Sequence, residues 1–145
     1  MNFVSKNFCE LETAELYEIL RARSQIFSLE QNMHCQDIDG IDYKSRHFFL
    51  EQDGKVLAYL RAFYTDNSKT AVKIGRVLTV THGEGLGAEV MHKALLDIKQ
   101  NMSCQKICLC SQKHAIGFYE KLGFKTVSQE FLEEDVPHVA MQLDF

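Results

Sequence analysis

The chain has 145 residues, of which 46% are hydrophobic and 25% charged, which is the composition of an ordinary globular domain large enough to bury a proper core. The 16 Lys and Arg side chains and 20 Asp and Glu side chains give a net charge of −4, and with no basic cluster this argues against a nucleic-acid partner. No apolar run approaches a membrane span and the N-terminus does not read as a signal peptide, so we expect one domain, residues 1–145, without a membrane partner.

The cysteines point to the compartment in which the protein works. There are 5, an odd number, and only Cys108 and Cys110 lie near one another in the sequence, two apart in a strand-like run. Their spacing does not resemble a zinc site. We therefore expect reduced, buried thiols in a cytoplasmic protein, and no metal.

The first elements are a short strand over residues 2–8 and a helix from about Thr13, a candidate N-cap. The helix has an inner stripe at helical spacing: Leu16, Ile19, Leu20, Arg23, Ile26 and Phe27. Residues 30–42 are then polar, aperiodic and too long for a simple connection, and loops of this length in compact domains are commonly functional. Three aspartates and Gly40 in this loop faintly resemble a calcium site, but the glycine comes too early and the twelfth-position glutamate is missing.

A hairpin and a third strand follow the loop. The apolar runs 47–52 and 56–63 flank Asp53-Gly54, which favours a two-residue turn of the primed type. A further turn leads into a β-branched strand over residues 72–80, so three consecutive antiparallel strands are predicted.

Three glycines at alternate positions, Gly83, Gly85 and Gly87, follow this strand, and a long helix begins among them. Strand, glycine turn and helix start together place free backbone N–H groups at the positive end of a helix dipole, where a phosphate can approach closely. The sequence does not match a nucleotide-triphosphate loop or the G-x-G-x-x-G dinucleotide fingerprint. The turn alone is therefore either an anion-binding cradle or merely a tight connection.

A second motif decides between these alternatives. Residues 106–111 indicate a short buried strand parallel to the preceding one, and the run Ala115-Ile-Gly-Phe-Tyr-Glu-Lys-Leu-Gly-Phe124 indicates a short helix that ends at Gly123. This combination at this spacing resembles the GNAT acyltransferases, the superfamily of acetyl-coenzyme A dependent N-acetyltransferases. The resemblance extends to the ElaA-type subfamily through four further stretches: Arg23 to Gln31, Gln36 to Asp42, Gly75-Arg76-Val77 and Glu134 to His138.

The resemblance implies an α/β GNAT fold with a mixed, mostly antiparallel sheet, in which acetyl-CoA and an amine bind together and the amine attacks the thioester directly. Tyr119 matches the tyrosine that commonly protonates the departing thiolate. The backbone near Leu78 would stabilise the oxyanion, and Gln112 occupies the position where an Asn often contacts the cofactor. His82 stands at a position where this family usually has Arg or Gln. The remaining residues implied to bind the cofactor are Val77, Leu78 and Thr79 along the pantetheine, and Gly83, Glu84, Gly85, Leu86, Gly87 and Ala88 around the pyrophosphate.

The acceptor side rests on chemistry rather than on a motif. The attacking amine must lose a proton to a carboxylate or histidine, and the candidates are Glu30, His47, Glu134 and His138, each of which could instead be a surface charge or a bonded rim residue. Acidic side chains of the long loop would attract a cationic amine, although capping of the loop is an equally good interpretation of the aspartates. The side chains expected to line the acceptor pocket are Glu30, Gln31, Asp37, Asp39 and Asp42.

These expectations leave the acceptor open between a small molecule and a peptide amine, and a homodimer is expected from the resemblance alone. The competing class is a non-catalytic module that binds acyl-CoA as a sensor or partner subunit. A dinucleotide-binding enzyme is a remote third alternative. Tyr119 and the histidines set beside acidic residues favour the enzyme.

Overall fold

The computed structural model describes residues 1–33 and 35–145, which form eight strands, three α-helices and several short helical turns. The strands are β1 (Asn2–Asn7), β2 (Arg46–Gln52), β3 (Lys55–Tyr64), β4 (Ala71–Thr79), β5 (Lys106–Gln112), β6 (Lys125–Thr126), β7 (Phe131–Glu133) and β8 (Val136–Asp144). The helices are α1 (Thr13–Arg23), α2 (Leu86–Asn101) and α3 (Ile116–Lys121), with 3-10 turns at Phe8–Glu10, Ile41–Lys44 and Lys113–Ala115.

All eight strands belong to one open sheet in the order β1-β2-β3-β4-β5-β8-β6, with β7 paired to β8. The pairs are antiparallel except β4 with β5, which run parallel because α2 connects them. The mixed, mostly antiparallel α/β fold predicted from the sequence is therefore confirmed.

Local sequence explains where these elements begin and end. Asp53 and Gly54 have φ of 54° and 78°, as a primed two-residue hairpin turn requires. Helix α1 begins at Thr13, as predicted, but its N-cap is the preceding Glu12, whose backbone N–H donates to the Glu15 carboxylate at 2.8 Å. At its other end α1 continues into a π-helix, Ser24–Glu30, a rare form that is frequently found at functional sites.

The two faces of the sheet are covered unequally. Helices α2 and α3 pack on the first face over the larger core, which includes Leu60, Ile74, Met91 and Met141. On the second face, α1 packs on β2, β3 and the end of β4 through Ile19 and the residues around it. None of the described helices covers the second face of β4, β5 and β8 in this way, so side chains such as Cys108 and Cys110 are only half-buried there. None of the helices in the described ranges is long and apolar enough to cross a membrane.

Candidate active site

The sheet opens between β4 and β5. These strands pair only where Ala71–Lys73 faces Lys106–Cys108, so from Ile74 onward no strand in the described part of the chain pairs with β4 on that edge. A bulge on the other edge strengthens the divergence, because Tyr59 pairs with Leu78 but Arg61 pairs with Gly75, which leaves one residue of β3 opposite two of β4. A cavity of about 250 Å³ lies in the gap, between the two strands and α3.

The glycine turn at the end of β4 presents unpaired amides. Gly83 and Gly85 have φ of 82° and 73°, and the first helical bond of α2 runs from Glu89 N–H to the Gly85 carbonyl at 3.1 Å. Among the described residues, no protein acceptor bonds the N–H groups of residues 82–88. A Cβ at Gly87 would lie 3.5 Å from the side chains of Thr79 and Phe118, an ordinary van der Waals distance, so the start of α2 packs against the strand end with room for a small side chain. The turn is open to an anion, as an anion-binding cradle must be.

The residues expected along the pantetheine arm divide between the cavity and the core. Val77 and Gln112 line the cavity from β4 and β5. Leu78 points away from it, 4% exposed, into the smaller core under α1. Only its backbone could therefore act on a bound thioester. Thr79 is the last residue of β4, beside the cradle.

Tyr119 on α3 reaches the cavity from the larger core. The ring is 8% exposed and packs edge-on against Phe118 and Phe124. No hydrogen bond among the described residues uses its hydroxyl group. Burial raises the pKa of Tyr119 to about 12, so the phenol holds its proton at neutral pH.

His138 on β8 lines the same cavity as Tyr119. Its Nδ1 lies 2.7 Å from the Val136 carbonyl oxygen, which can only accept, so Nδ1 carries the proton and Nε2 of the neutral ring is free to accept one. Nε2 lies 3.5 Å from Glu133 Oε2, and the ring stacks on Phe131. This histidine has the geometry of a proton acceptor.

The carboxylate beside His138 is Glu133 and not Glu134, the residue predicted from the sequence. Glu134 and Asp135 form the two-residue turn between β7 and β8, with φ of 51° and 61°, and both are exposed. Because side chains alternate along a strand, Glu133 and His138 share a face while Glu134 leaves it. Glu133 lines the cavity in its place.

The prediction that His47 serves as a base is contradicted by its surroundings. The ring is fully buried, with Nδ1 2.7 Å from the Tyr59 hydroxyl and Nε2 3.0 Å from the Asp42 carbonyl. It lies under α1, outside the lining of the cavity. Burial lowers the pKa of His47, so the ring is a neutral structural side chain.

The aspartates of the long loop are held by arginines from three separate elements. We call this group the arginine–aspartate cluster: Arg23, Arg61, Arg76, Asp37, Asp39 and Asp42. Arg23, whose side chain is fully buried, binds Asp42 Oδ1 at 2.6 Å and Asp37 Oδ2 at 3.0 Å. Arg61 binds both oxygens of Asp39, at 2.9 and 2.7 Å, and reaches Asp42 at 2.9 Å. Arg76 Nε binds Asp37 Oδ1 at 2.8 Å.

The cluster corrects the picture of an acidic rim. Hydrogen bonds from Arg61 lower the pKa of Asp39 to about 2. Burial alone would raise the pKa of Asp42, but the bonds from Arg23 and Arg61 outweigh it and lower that pKa. Because three arginines neutralise the three aspartates, Asp37 and Asp39 fix the loop and present little free charge to an amine.

The two residues before the loop differ in position. Gln31 lines the cavity, and its contact with an acceptor stays a prediction. Glu30 instead binds His82 Nε2 at 2.7 Å, with the two side chains 45% and 69% exposed. Glu30 therefore contacts the glycine turn from outside and does not line the cavity.

A second cavity of about 330 Å³ continues the first along the uncovered face of the sheet. The two share the wall formed by Met33, Cys35, Ile74, Gly75, Arg76, Cys110 and Glu133. The side chains that line the second cavity but not the first include Arg61, Lys73 and Glu134. The residue sets thus describe one bent cleft with an inner end at Tyr119 and His138 and an outer end at Lys73 and Glu134.

Sequence reasoning passed over three of these lining residues, Arg61, Lys73 and Glu133. Arg61 and Lys73 occupy ordinary strand positions, and only the pairing of β3 with β4 brings them to the cleft. Locating the turn at 134–135 would have identified Glu133 by alternation. Among the residues described, no group of three or more His, Cys, Asp or Glu side chains is arranged to hold a metal ion.

Comparison with known proteins gives a consistent result over the whole chain. The family model described as "Acetyltransferase (GNAT) domain" matches residues 14–145. A UPF0039 protein of Schizosaccharomyces pombe is 36% identical over 99% of this chain and 97% of its own length. Two crystal structures, Escherichia coli ElaA and an acyl-CoA N-acyltransferase from Pseudomonas aeruginosa, superpose with TM-scores of 0.92 and 0.89, each at 31% identity and covering 99% of both chains.

Proposed function

The chain belongs to the GNAT acetyltransferase family, in its ElaA-type branch, and from that premise we propose that it transfers the acetyl group of acetyl-CoA to a primary amine. One observation carries the proposal: an unpaired strand edge, an unbonded phenol and a histidine with a free nitrogen all meet in one cleft. The similarity to a protein described as an acyl-CoA N-acyltransferase supports the same reaction class.

The unpaired backbone groups fit the cofactor. The amides of residues 82–88 would bind its pyrophosphate at the N-terminus of α2, where the helix dipole favours a negative charge. The open edge of β4 beyond Lys73 would pair with the amides of the pantetheine arm. The bound thioester supplies the activated acetyl group, and a backbone N–H near Leu78 would stabilise the negative charge that develops on its carbonyl oxygen.

Two side chains then handle the protons. His138 Nε2 is the acceptor for the proton that the amine must lose, and the Nδ1–H bond to Val136 fixes the tautomer that leaves Nε2 free. Tyr119 is protonated at neutral pH, because burial raises the pKa of its hydroxyl to about 12, and it donates to the departing thiolate. Both groups line the cavity that the open edge borders.

The cysteines are assigned no covalent role. Burial raises the pKa of Cys104 and of Cys110, which suppresses the nucleophilic thiolate. All five cysteines are free, as suits a reducing compartment, and we place the reaction in the cytoplasm.

The test separates an enzyme from a module that only binds acyl-CoA. We expect calorimetry to show binding of coenzyme A and acetyl-CoA, and thiol release from acetyl-CoA in the presence of an amine. Tyr119→Phe should lower kcat severalfold or more without changing the affinity for coenzyme A, because the ring remains and only the proton donor is lost. Tyr17→Phe, at an exposed position on α1, is the matched control and should behave as the wild type.

Tight binding without turnover on any amine would favour the non-catalytic module. Equal activity of Tyr119→Phe at every pH would remove the tyrosine from the mechanism. Absence of binding to either form of the cofactor would refute the proposal as a whole.

A further inference from the structure

The outer end of the cleft carries charges that the proposed reaction does not use. Lys73 on β4 and Glu134 at the β7–β8 turn both line the second cavity and are absent from the lining of the first. Within the described chain, neither side chain takes part in an ion pair, so they do not neutralise each other. Lys73 and Glu134 therefore contribute one free ammonium and one free carboxylate to the outer cavity.

Arg76 adds a further free donor between the two ends. Its Nε and Nη2 are used by Asp37 and Asp39, but no hydrogen bond of the described residues uses Nη1. The side chain is 25% exposed and lines both cavities. Arg76 Nη1 and the Lys73 ammonium, on the same strand, are suited to bind a carboxylate.

The inner end has the opposite preference. Glu133 lines both cavities and lies beside His138, where the reacting nitrogen must come. A carboxylate attached next to that nitrogen would face Glu133 and be repelled, whereas a carboxylate several bonds away would reach Lys73. The charge of Lys73 is felt at Cys110, in the wall that the two cavities share, where it partly offsets the effect of burial in raising the pKa of that thiol.

From this arrangement we propose that the acceptor is a free diamino acid of the lysine or ornithine type, acetylated on its side-chain amine. Its α-carboxylate binds Lys73 and Arg76 Nη1, its α-ammonium faces Glu134, and its side-chain amine lies between His138 and Tyr119. The inference rests on the proposed N-acetyltransferase function and specifies its substrate. A cavity of about 330 Å³ is at the small end of the range for ligand sites and suits such a molecule.

The test compares four amines that differ only in the charges of the tail: L-lysine, cadaverine, 6-aminohexanoate and a lysine blocked at both its α-amine and its α-carboxyl. With wild-type protein and acetyl-CoA, kcat/KM should be highest for lysine. It should exceed the values for cadaverine and 6-aminohexanoate by about tenfold, the effect expected when one charge-assisted contact is lost, and the value for the blocked lysine by more, because both charges are absent there. Equal or better turnover of cadaverine or of the blocked lysine would overturn the proposal while leaving the acetyltransferase function intact. No turnover of any amine would refute both.

Two substitutions should separate recognition of the substrate carboxylate from recognition of its distal ammonium. Lys73→Met should raise KM for lysine and 6-aminohexanoate about tenfold and leave cadaverine unaffected, because only the first two carry the carboxylate. Glu134→Gln should weaken lysine and cadaverine, which carry the distal ammonium, and spare 6-aminohexanoate. The matched controls are two exposed residues that line neither cavity. They are Lys99→Met, on α2, and Asp135→Asn, next to Glu134. Uniform effects of Lys73→Met on all four amines would count against the proposal.

Discussion

The second face of the sheet has two halves that are built on opposite principles. Under α1, the buried polar side chains are paired: Arg23 is fully buried and bonded to two aspartates, and both nitrogens of His47 are satisfied. Between β4 and β5, backbone amides and a phenol have no hydrogen-bond partner among the described residues, and His138 Nε2 has only Glu133 Oε2 beside it, at 3.5 Å. Unpaired polar groups are costly in a folded protein unless water or a ligand completes them. The closed half therefore maintains the fold, and the open half is where a ligand is expected.

The long loop over residues 30–42 connects the closed half with the open half. Asp37 is bound by Arg23 from the closed half and by Arg76 from the edge of the cleft. The residues just before it, Met33 and Cys35, form part of the wall that the two cavities share. The arginine–aspartate cluster thus holds the wall of the open half in place.

The largest expected effect comes from breaking the closed half. Arg23→Ala should reduce the free energy of unfolding by about 3–5 kcal/mol, because it removes one of two arginine partners from the buried carboxylate of Asp42 and from the half-buried carboxylate of Asp37. Arg21→Ala is the control two residues away, since Arg21 is 59% exposed and reaches Glu18 only at 3.5 Å. It should cost less than about 1 kcal/mol. Urea denaturation measures both, and equal losses would show that the cluster does not stabilise the fold.

The next effect belongs to the open half and should leave stability almost unchanged. His138→Asn keeps a donor for the Val136 carbonyl but removes the free ring nitrogen. The rate should fall about a hundredfold or more, which is the usual contribution of a general base. The pH profile of kcat/KM should lose its acid limb, and the affinity for coenzyme A should hold. His92→Asn, at an exposed position on α2 outside the lining of both cavities, is the control. A normal pH profile in His138→Asn would assign the base elsewhere.

Only part of this fold and of its site could be predicted from the sequence. Most of the fold could be predicted because its signals are local: Asp53-Gly54 specifies a hairpin, and Gly83 and Gly85 with the apolar helix after them specify the cradle. The burial of His47 could not be predicted, because alternation along β2 does not reveal that α1 covers its face.

The pairing of the aspartates in the long loop could not be predicted from the sequence either. Asp39 looks like a free acid in the sequence, whereas Arg61 and Arg76, its partners, lie 22 and 37 residues further along the chain. The sequence does not separate Glu134 from Glu133, because a shift of one residue in a turn moves a side chain to the other face. Pairings of this kind depend on the register between strands, and one sequence does not show it.

The smallest expected effect is a pH dependence that arises in the closed half. Burial lowers the pKa of His47, so the folded protein keeps this ring neutral while the unfolded chain takes up a proton near the ordinary value of about 6.5. The unfolded state therefore binds more protons below that pH, and the free energy of unfolding should decrease as the pH falls from 7 to 5. His47→Gln should be less stable at pH 7, because two hydrogen bonds are disturbed, but should lose part of this slope. His92→Asn on the exposed side of α2 should keep the slope. An unchanged slope in His47→Gln would mean that other histidines produce the pH dependence, and His47 would then be a packing residue only.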